Sequence, residues 1–244
     1  MADRRMYDPL FVRDLFDEMS ATYGAMNLVT SFGFAHLWRR QCVAAAGIQR
    51  GDRVLDLMTG MGELLSDVSR RAGVDGAVVA VDISPCMCEK ARRYEQRRRF
   101  CPVRIVEADA LNAHQDMPSG GFNVIVSSFG LKTFSSEQLS TLAQQIRILL
   151  RPGGRFSMLE ISVPSFRLLR MPYLFYLGRV IPIMGKLFLG NPDNYRMLGL
   201  YTKAFENCDR ARELLEKAGL QVETRKYFFG CATGVVGRKP ESPG

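Results

Sequence analysis

The sequence predicts an α/β fold: a seven-stranded, mostly parallel sheet with an antiparallel last strand and helices on both faces. Three observations predict it. Apolar, β-branched runs at about 53–58, 77–82, 103–108, 122–128 and 154–161 alternate with segments of helical period, as strands do when crossover helices join them. The first run leads straight into a glycine-containing turn, Thr59-Gly60-Met61-Gly62. Two further runs, QVETRKYFF and CATGVVGRK, are joined too closely for a crossover and favour a hairpin.

At 244 residues the chain suits a single main domain. Residues 1–50 precede the first strand and are expected to form an N-terminal helical cap. Residues 51–239 are the main domain, with a lid inserted at about 164–205, and 240–244 are expected to be a disordered tail. Between the fourth and fifth runs, Leu139, Leu142, Ile146, Leu149 and Leu150 share one helical face. Ser135 with Gln138 makes a capping box at its start, and Pro152-Gly153-Gly154 is its expected stop. Near the C-terminus NCDRARELLEKAGL reads as a helix that buries Leu214-Leu215 and ends at Gly219. The apolar segment at 170–190 is interrupted by Arg179, prolines and glycines, which makes it a poor transmembrane span. A lid over a greasy substrate taken from a membrane surface fits it, as does a homodimer interface or an ordinary core helix.

Apolar residues make up 47% and charged residues 24%, a balance that excludes a disordered chain. The net charge of +8 is compatible with nucleic acid, anionic lipid or an acidic ligand. In ARRYEQRRRF the arginines Arg92, Arg93, Arg97, Arg98 and Arg99 spread around more than one helical face. That is the pattern of a solvated helix, so no nucleic-acid partner is expected. Six cysteines without a Cys-x-x-Cys pair read as reduced thiols of a cytoplasmic protein. The two histidines, His36 and His114, stand at spacings unrelated to Cys86 and Cys88, and no metal is expected.

The glycines of the turn let a ligand approach the backbone at a strand's carboxyl end. A dinucleotide fingerprint would place a third glycine where Leu65 stands, and Glu63 would repel a pyrophosphate at the helix start. A cationic or zwitterionic nucleoside fits better. Asp56, Asp82 and Asp109 end three successive strands. Asp82, followed by Ile83, lies where an acid accepts both ribose hydroxyls, and Asp109 with the Ala110 amide can meet an adenine edge. Each acid alone could equally be a helix cap.

This ordered set resembles a class I S-adenosylmethionine-dependent methyltransferase, whose sheet is Rossmann-like. More narrowly, the chain resembles the UbiE-type ubiquinone/menaquinone biosynthesis C-methyltransferases. The blocks YGAMNLVTSFGFAHLW, VLDLMTGMGE, VVAVDISPCM, VEADALN, SFGLKTF, LRPGGRFSMLEIS and NPDNYRMLGLY carry the likeness over most of the chain. The resemblance implies S-adenosylmethionine as cofactor, with Met61 at the turn position that touches it. Asp82 takes the ribose position, Asp109-Ala110 the adenine position, and Ser128 the place beside the transferred methyl, with Tyr23 closing over the cofactor. It implies methylation of a ring carbon on a hydrophobic, electron-rich acceptor such as a quinone precursor; the apolar, basic-edged lid adds the expectation of a cytoplasmic protein that can contact the inner face of the membrane peripherally. Other small-molecule acceptors, such as a natural-product intermediate or a phospholipid amine, stay open, as does a non-catalytic scaffold that binds the cofactor.

Four catalytic candidates follow. Lys132 could stabilise an oxyanion and His36 could accept a proton, while Tyr195 and Tyr201 either assist or line the pocket. The chain departs from the family pattern at Gly24, where the family has Asp, and in the turn, where Gly-Gly-Thr-Gly becomes Thr59-Gly60-Met61-Gly62. It departs again at Lys132-Thr133, in place of Arg-Asn beside the expected acceptor ring. Lys offers a point charge where Arg offers a planar fork.

Overall fold

The computed structural model describes residues 4–97, 100–115, 117–187 and 191–241. Arg98 and Arg99 of the basic run, residues 188–190 of the expected lid and residues 242–244 of the expected tail lie outside the described residues. Strands β1 (Arg53–Leu57), β2 (Ala77–Asp82), β3 (Val103–Glu107), β4 (Phe122–Ser128), β5 (Leu150–Ile161), β6 (Gln221–Tyr227) and β7 (Ala232–Arg238) form one sheet in the order β3-β2-β1-β4-β5-β7-β6. Strands β1 to β5 pair in parallel, and β7 runs antiparallel between β5 and β6.

Period-two alternation sends successive residues to opposite faces. Leu55, Leu57 and Ile125 pack with α6 (Ser136–Leu149) and α10 (Asp209–Lys217). Val54, Val124 and Val126 pack against the opposite layer, which includes α4 (Leu65–Ala72) and α5 (Pro85–Arg97). Helix α3 (Phe34–Ala45) joins that layer through fully buried Cys42 and Val43.

The capping box at Ser135 and Gln138 forms as the spacing predicts. The end of α6 differs. Strand β5 begins at Leu150, ahead of Pro152-Gly153-Gly154, because Leu150 already pairs with Phe122 before a register irregularity. The last carbonyls of α6 are met instead by Lys239, whose Nζ donates to the Arg147 and Leu150 carbonyls at 2.7 and 2.8 Å.

Above the carboxyl ends of the strands lie α1 (Pro9–Met19) and α2 (Tyr23–Thr30), together with the segment between β5 and α10. That segment comprises α7 (Arg167–Phe175), a five-residue π turn (Tyr176–Val180), α8 (Ile181–Leu187) and α9 (Pro192–Phe205). The two groups grip each other. Thr22 and Tyr195 share a hydroxyl hydrogen bond of 2.6 Å, Tyr176 donates to the Thr30 carbonyl at 2.9 Å, and Tyr201 donates to the Met6 carbonyl. Among the described residues no helix is long and apolar enough to cross a membrane.

Candidate active site

The strand order reverses at β1, between β2 and β4, and a crevice opens where such sheets bind ligands. Its floor is the strand ends: Met58, Thr59 and Gly60 after β1, Asp82 closing β2 with Ile83 after it, Asp109 and Ala110 after β3, and Ser128 closing β4 with Phe129 after it. Its roof is Tyr7, Pro9, Val12, Phe16 and Tyr23, and the enclosed space is about 70 Å³. Met58 after β1 and Phe129 after β4 carry the unfavourable φ values of +54° and +64°, so two strained residues border the crevice.

The carboxylate of Asp82 accepts from the Gly60 amide at 2.8 Å and the Ser84 amide at 3.0 Å. Burial outweighs those two bonds and pushes Asp82 up to about 6. Asp109 takes the Leu111 amide at 2.9 Å. At the other end of the crevice Arg39 pairs with Glu63 at 2.9 Å and lies over the Phe129 ring at 4.8 Å. Arg39 therefore offsets part of the charge that Glu63 brings to the turn. Arg39 Nε is buried with no hydrogen-bond partner among the described residues.

A second, apolar cavity of about 380 Å³ adjoins the first and shares Tyr23 and Phe129 with it. Helices α2, α7, α8 and α9 supply most of its wall, through residues such as Met26, Leu169, Tyr173, Ile181 and Leu198. Two cationic or amide groups interrupt the apolar lining, Lys132 and Asn27. Lys132 is 5% exposed and pairs with fully buried Glu160 at 2.8 Å, while its Nζ also donates to the Phe129 carbonyl at 2.9 Å. Glu160 is held in turn by the Lys132 and Ile161 amides at 3.0 and 2.7 Å. Asn27 Nδ2 is buried and faces the Tyr23 hydroxyl.

The model of the ubiE/COQ5 methyltransferase family matches residues 3–239. The chain belongs to that family. It is 33% identical over 213 residues to the ubiquinone/menaquinone biosynthesis C-methyltransferase UbiE of Idiomarina loihiensis, covering 86% of this chain and 82% of that protein. It is 35% identical over 227 residues to the demethylmenaquinone methyltransferase of Thermus thermophilus, covering 93% and 100%. Among solved structures, magnesium protoporphyrin IX methyltransferase (ChlM) from Synechocystis, with bound SAH, superposes with a TM-score of 0.63 at 16% identity, over 95% of this chain and 99% of that one. The likeness to ChlM shows the Rossmann-like methyltransferase fold.

The ubiE/COQ5 methyltransferase uses S-adenosylmethionine, and the crevice fits that zwitterionic nucleoside. Carboxylates stand at the ends of β2 and β3, and the orphaned Arg39 Nε beside Glu63 offers opposite charges to an amino-acid end. Of the expected cofactor residues, Tyr23, Thr59, Gly60, Asp82, Ile83, Asp109, Ala110 and Ser128 line the crevice.

Asp56, Gly62 and Met61 do not line it. Asp56 is fully buried beneath the turn, where the Thr59 hydroxyl donates to it at 2.6 Å. Gly62, at φ +85°, shapes the turn, since a Cβ there would meet Leu65 Cδ1 at 2.7 Å. Met61 is partly buried against the cluster that contains Tyr23 and Met26, with its Cε beside Gly24 of α2.

Two catalytic candidates, His36 and Tyr201, stand apart from both cavities. His36 is exposed on α3 and lines neither cavity, because Ala35, Trp38 and Cys42 form that helix's buried face. Tyr201 lines neither cavity and spends its hydroxyl on the Met6 carbonyl. Tyr195 and Lys132 do line the apolar cavity. Sequence reasoning missed Arg39, Asn27 and Glu160, and also the roof residues Tyr7, Pro9, Val12 and Phe16. Asn27 stands in the block that carried the family likeness, the one signal that could have found it.

Proposed function

We propose that this methyltransferase transfers the methyl group to a ring carbon of a hydrophobic, electron-rich acceptor of the quinone-precursor class. The observation that carries the reading is the apolar cavity that shares Tyr23 and Phe129 with the cofactor crevice and presents Lys132 and Asn27 from its wall. The names of the UbiE and demethylmenaquinone methyltransferase relatives point the same way. In this reading Asp82 accepts the ribose hydroxyls, Asp109 and the Ala110 amide meet the adenine, and Arg39 and Glu63 take the carboxylate and ammonium of the methionine end. Ser128 stands between donor and acceptor.

Bound S-adenosylmethionine supplies an activated methyl on a sulfonium. The chain's own task is to hold the acceptor close and dry and to favour charge on the ring oxygen. An ammonium has three N–H donors. Lys132 directs two at Glu160 and Phe129, which leaves one for the acceptor oxygen. Asn27 Nδ2 supplies a second donor. A phospholipid amine suits this wall poorly, since both groups donate and one is cationic.

We place the protein in the cytoplasm, where its six free thiols stay reduced, touching the membrane only at its surface. The test is incubation with labelled methyl donor and a membrane-lipid and metabolite extract, followed by identification of the product. Label on a ring carbon of a lipophilic quinol is expected. Label on nitrogen or oxygen refutes the reading. No label, with cofactor binding intact by calorimetry, makes the protein a non-catalytic scaffold.

A further inference from the structure

Helices α7 and α8 are apolar on two faces, and only the inner one is used. Leu169, Tyr173, Leu177 and Ile181 line the second cavity. On the outside Leu168, Met171, Phe175, Ile183 and Leu187 stand between 61% and 79% exposed. Leu168, Met171 and Phe175 follow helical spacing. Ile183 comes eight residues after Phe175, more than two α turns of about 3.6 residues each. The π turn at Tyr176–Val180 holds one extra residue and brings Ile183 back onto the same stripe. The irregularity thus makes the outer apolar stripe continuous across both helices.

Aromatic side chains rim the cavity next to this stripe. Phe32 stacks on Tyr176 with ring centroids 6.0 Å apart, and Phe228 meets Phe34 at 4.7 Å. Phe32, Phe228 and Phe229 all have positive φ, of +49°, +39° and +54°, a costly conformation for a bulky residue. No core packing repays that strain at Phe32 or Phe229, which are 78% and 76% exposed.

We propose that the outer stripe of α7 and α8, with Phe32 and the Phe228-Phe229 tip, docks on a bilayer rich in anionic lipid and brings the mouth of the apolar cavity to the acyl phase. Charge selects this occupant. Residues 165–187 contain Arg167, Arg170, Arg179 and Lys186 and no acid. Of these only Arg170 has an ion pair among the described residues, a 3.5 Å contact with Glu206. An apolar stripe bordered by cations is the signature of a helix lying in an anionic interface. A second copy fits worse, because an isologous dimer sets each patch against itself and would oppose these cations to their own kind. The proposal rests on the reading of the second cavity as the site of a lipophilic acceptor.

The test compares the full-length protein with Met171→Glu/Phe175→Glu and Arg167→Glu/Arg179→Glu, none of which touches either cavity. Flotation uses phosphatidylcholine vesicles with and without phosphatidylglycerol. The wild type should bind the anionic vesicles, and less tightly as salt rises. The apolar variant should bind about tenfold or more weakly. The charge variant should lose most of its preference for phosphatidylglycerol, each interfacial cation contributing about fivefold. Methyl transfer to a detergent-dispersed acceptor should be unchanged in both variants, while transfer to acceptor embedded in vesicles falls. Equal vesicle binding by wild type and the apolar variant overturns the proposal. So does a wild-type dimer that the apolar variant dissolves. If dispersed acceptor is not methylated by any form, the acceptor reading fails, and vesicle binding still decides the docking face by itself.

Discussion

Replacing Lys132 by methionine keeps the stem and deletes the ammonium. Glu160, which is fully buried, then faces only the Lys132 and Ile161 amides, at 3.0 and 2.7 Å. Breaking a buried pair by removing one partner costs about 3–5 kcal/mol, because the surviving charge is left uncompensated. Glu160→Gln strands the cation instead and should cost a similar amount. The double variant strands neither charge and keeps an amide oxygen for the backbone donors, so it should be more stable than the summed singles by about 2–3 kcal/mol. Urea unfolding is the assay, followed by circular dichroism and by the emission of Trp38, the one tryptophan, which is buried on α3. Coincident transitions with an unchanged slope license the comparison. Single costs that add to the double within about 0.5 kcal/mol would mean that no coupled pair exists, and the proposed orientation of Lys132 would lose its support.

In the proposed reading, Asp82→Asn removes the charge and exchanges one of the two acceptor oxygens for an NH2 group, so S-adenosylmethionine and its demethylated product should bind at least about tenfold more weakly by calorimetry. Because Asp82 is pushed up to about 6, wild-type affinity for both should also fall as pH drops through that value. Asp56 is pushed up to about 7 by burial against the opposing Thr59 hydrogen bond, from an ordinary value of 3.8. The folded chain then holds its proton more tightly than the unfolded chain between those values, so folding stability falls as pH rises through that window. Asp56→Asn should flatten this dependence and raise the melting temperature at about pH 8 more than at about pH 5. An equal change at both values would show that Asp56 carries no such proton.

The strands were legible because burial on both faces turns a central parallel strand into a β-branched run, and the sheet ends each of the first three runs near an acid. The boundary of β5 was not, since the pairing of Leu150 with Phe122 is tertiary and overrides the local signal of Pro152-Gly153-Gly154. Helix orientation was legible but unused. Ala35, Trp38 and Cys42 share one helical stripe, and His36 lies off it. The ion pairs were out of reach, as Arg39 finds Glu63 across 24 residues and Lys132 finds Glu160 across 28. Nothing local marks either partner. The inserted helices read as one apolar segment, and only their docking against α2 shows which face borders a cavity and which is left over.

Two departures from the family pattern, far apart in sequence, are one event in space. A Cβ on Gly24 would lie 2.8 Å from Met61 Cε, so the bulk added where the turn has lost its threonine occupies the room freed where the family's Asp is missing. The interaction is steric and therefore directional. Gly24→Ala alone gains about 1 kcal/mol of helix propensity in α2 but forces the methionine aside, at a cost of about 1 kcal/mol or more. With Met61→Thr in place the clash is gone, and the same Gly24→Ala should stabilise by the full propensity term. Urea midpoints of the four proteins measure the difference, and an equal effect of Gly24→Ala in both backgrounds would separate the two sites. Coupling would explain why this chain can lose an acid beside Tyr23 and a hydroxyl at the turn without losing the crevice between them. Neither substitution then reports on the cofactor, and the crevice keeps Gly60, Asp82 and Asp109, the family positions that face it.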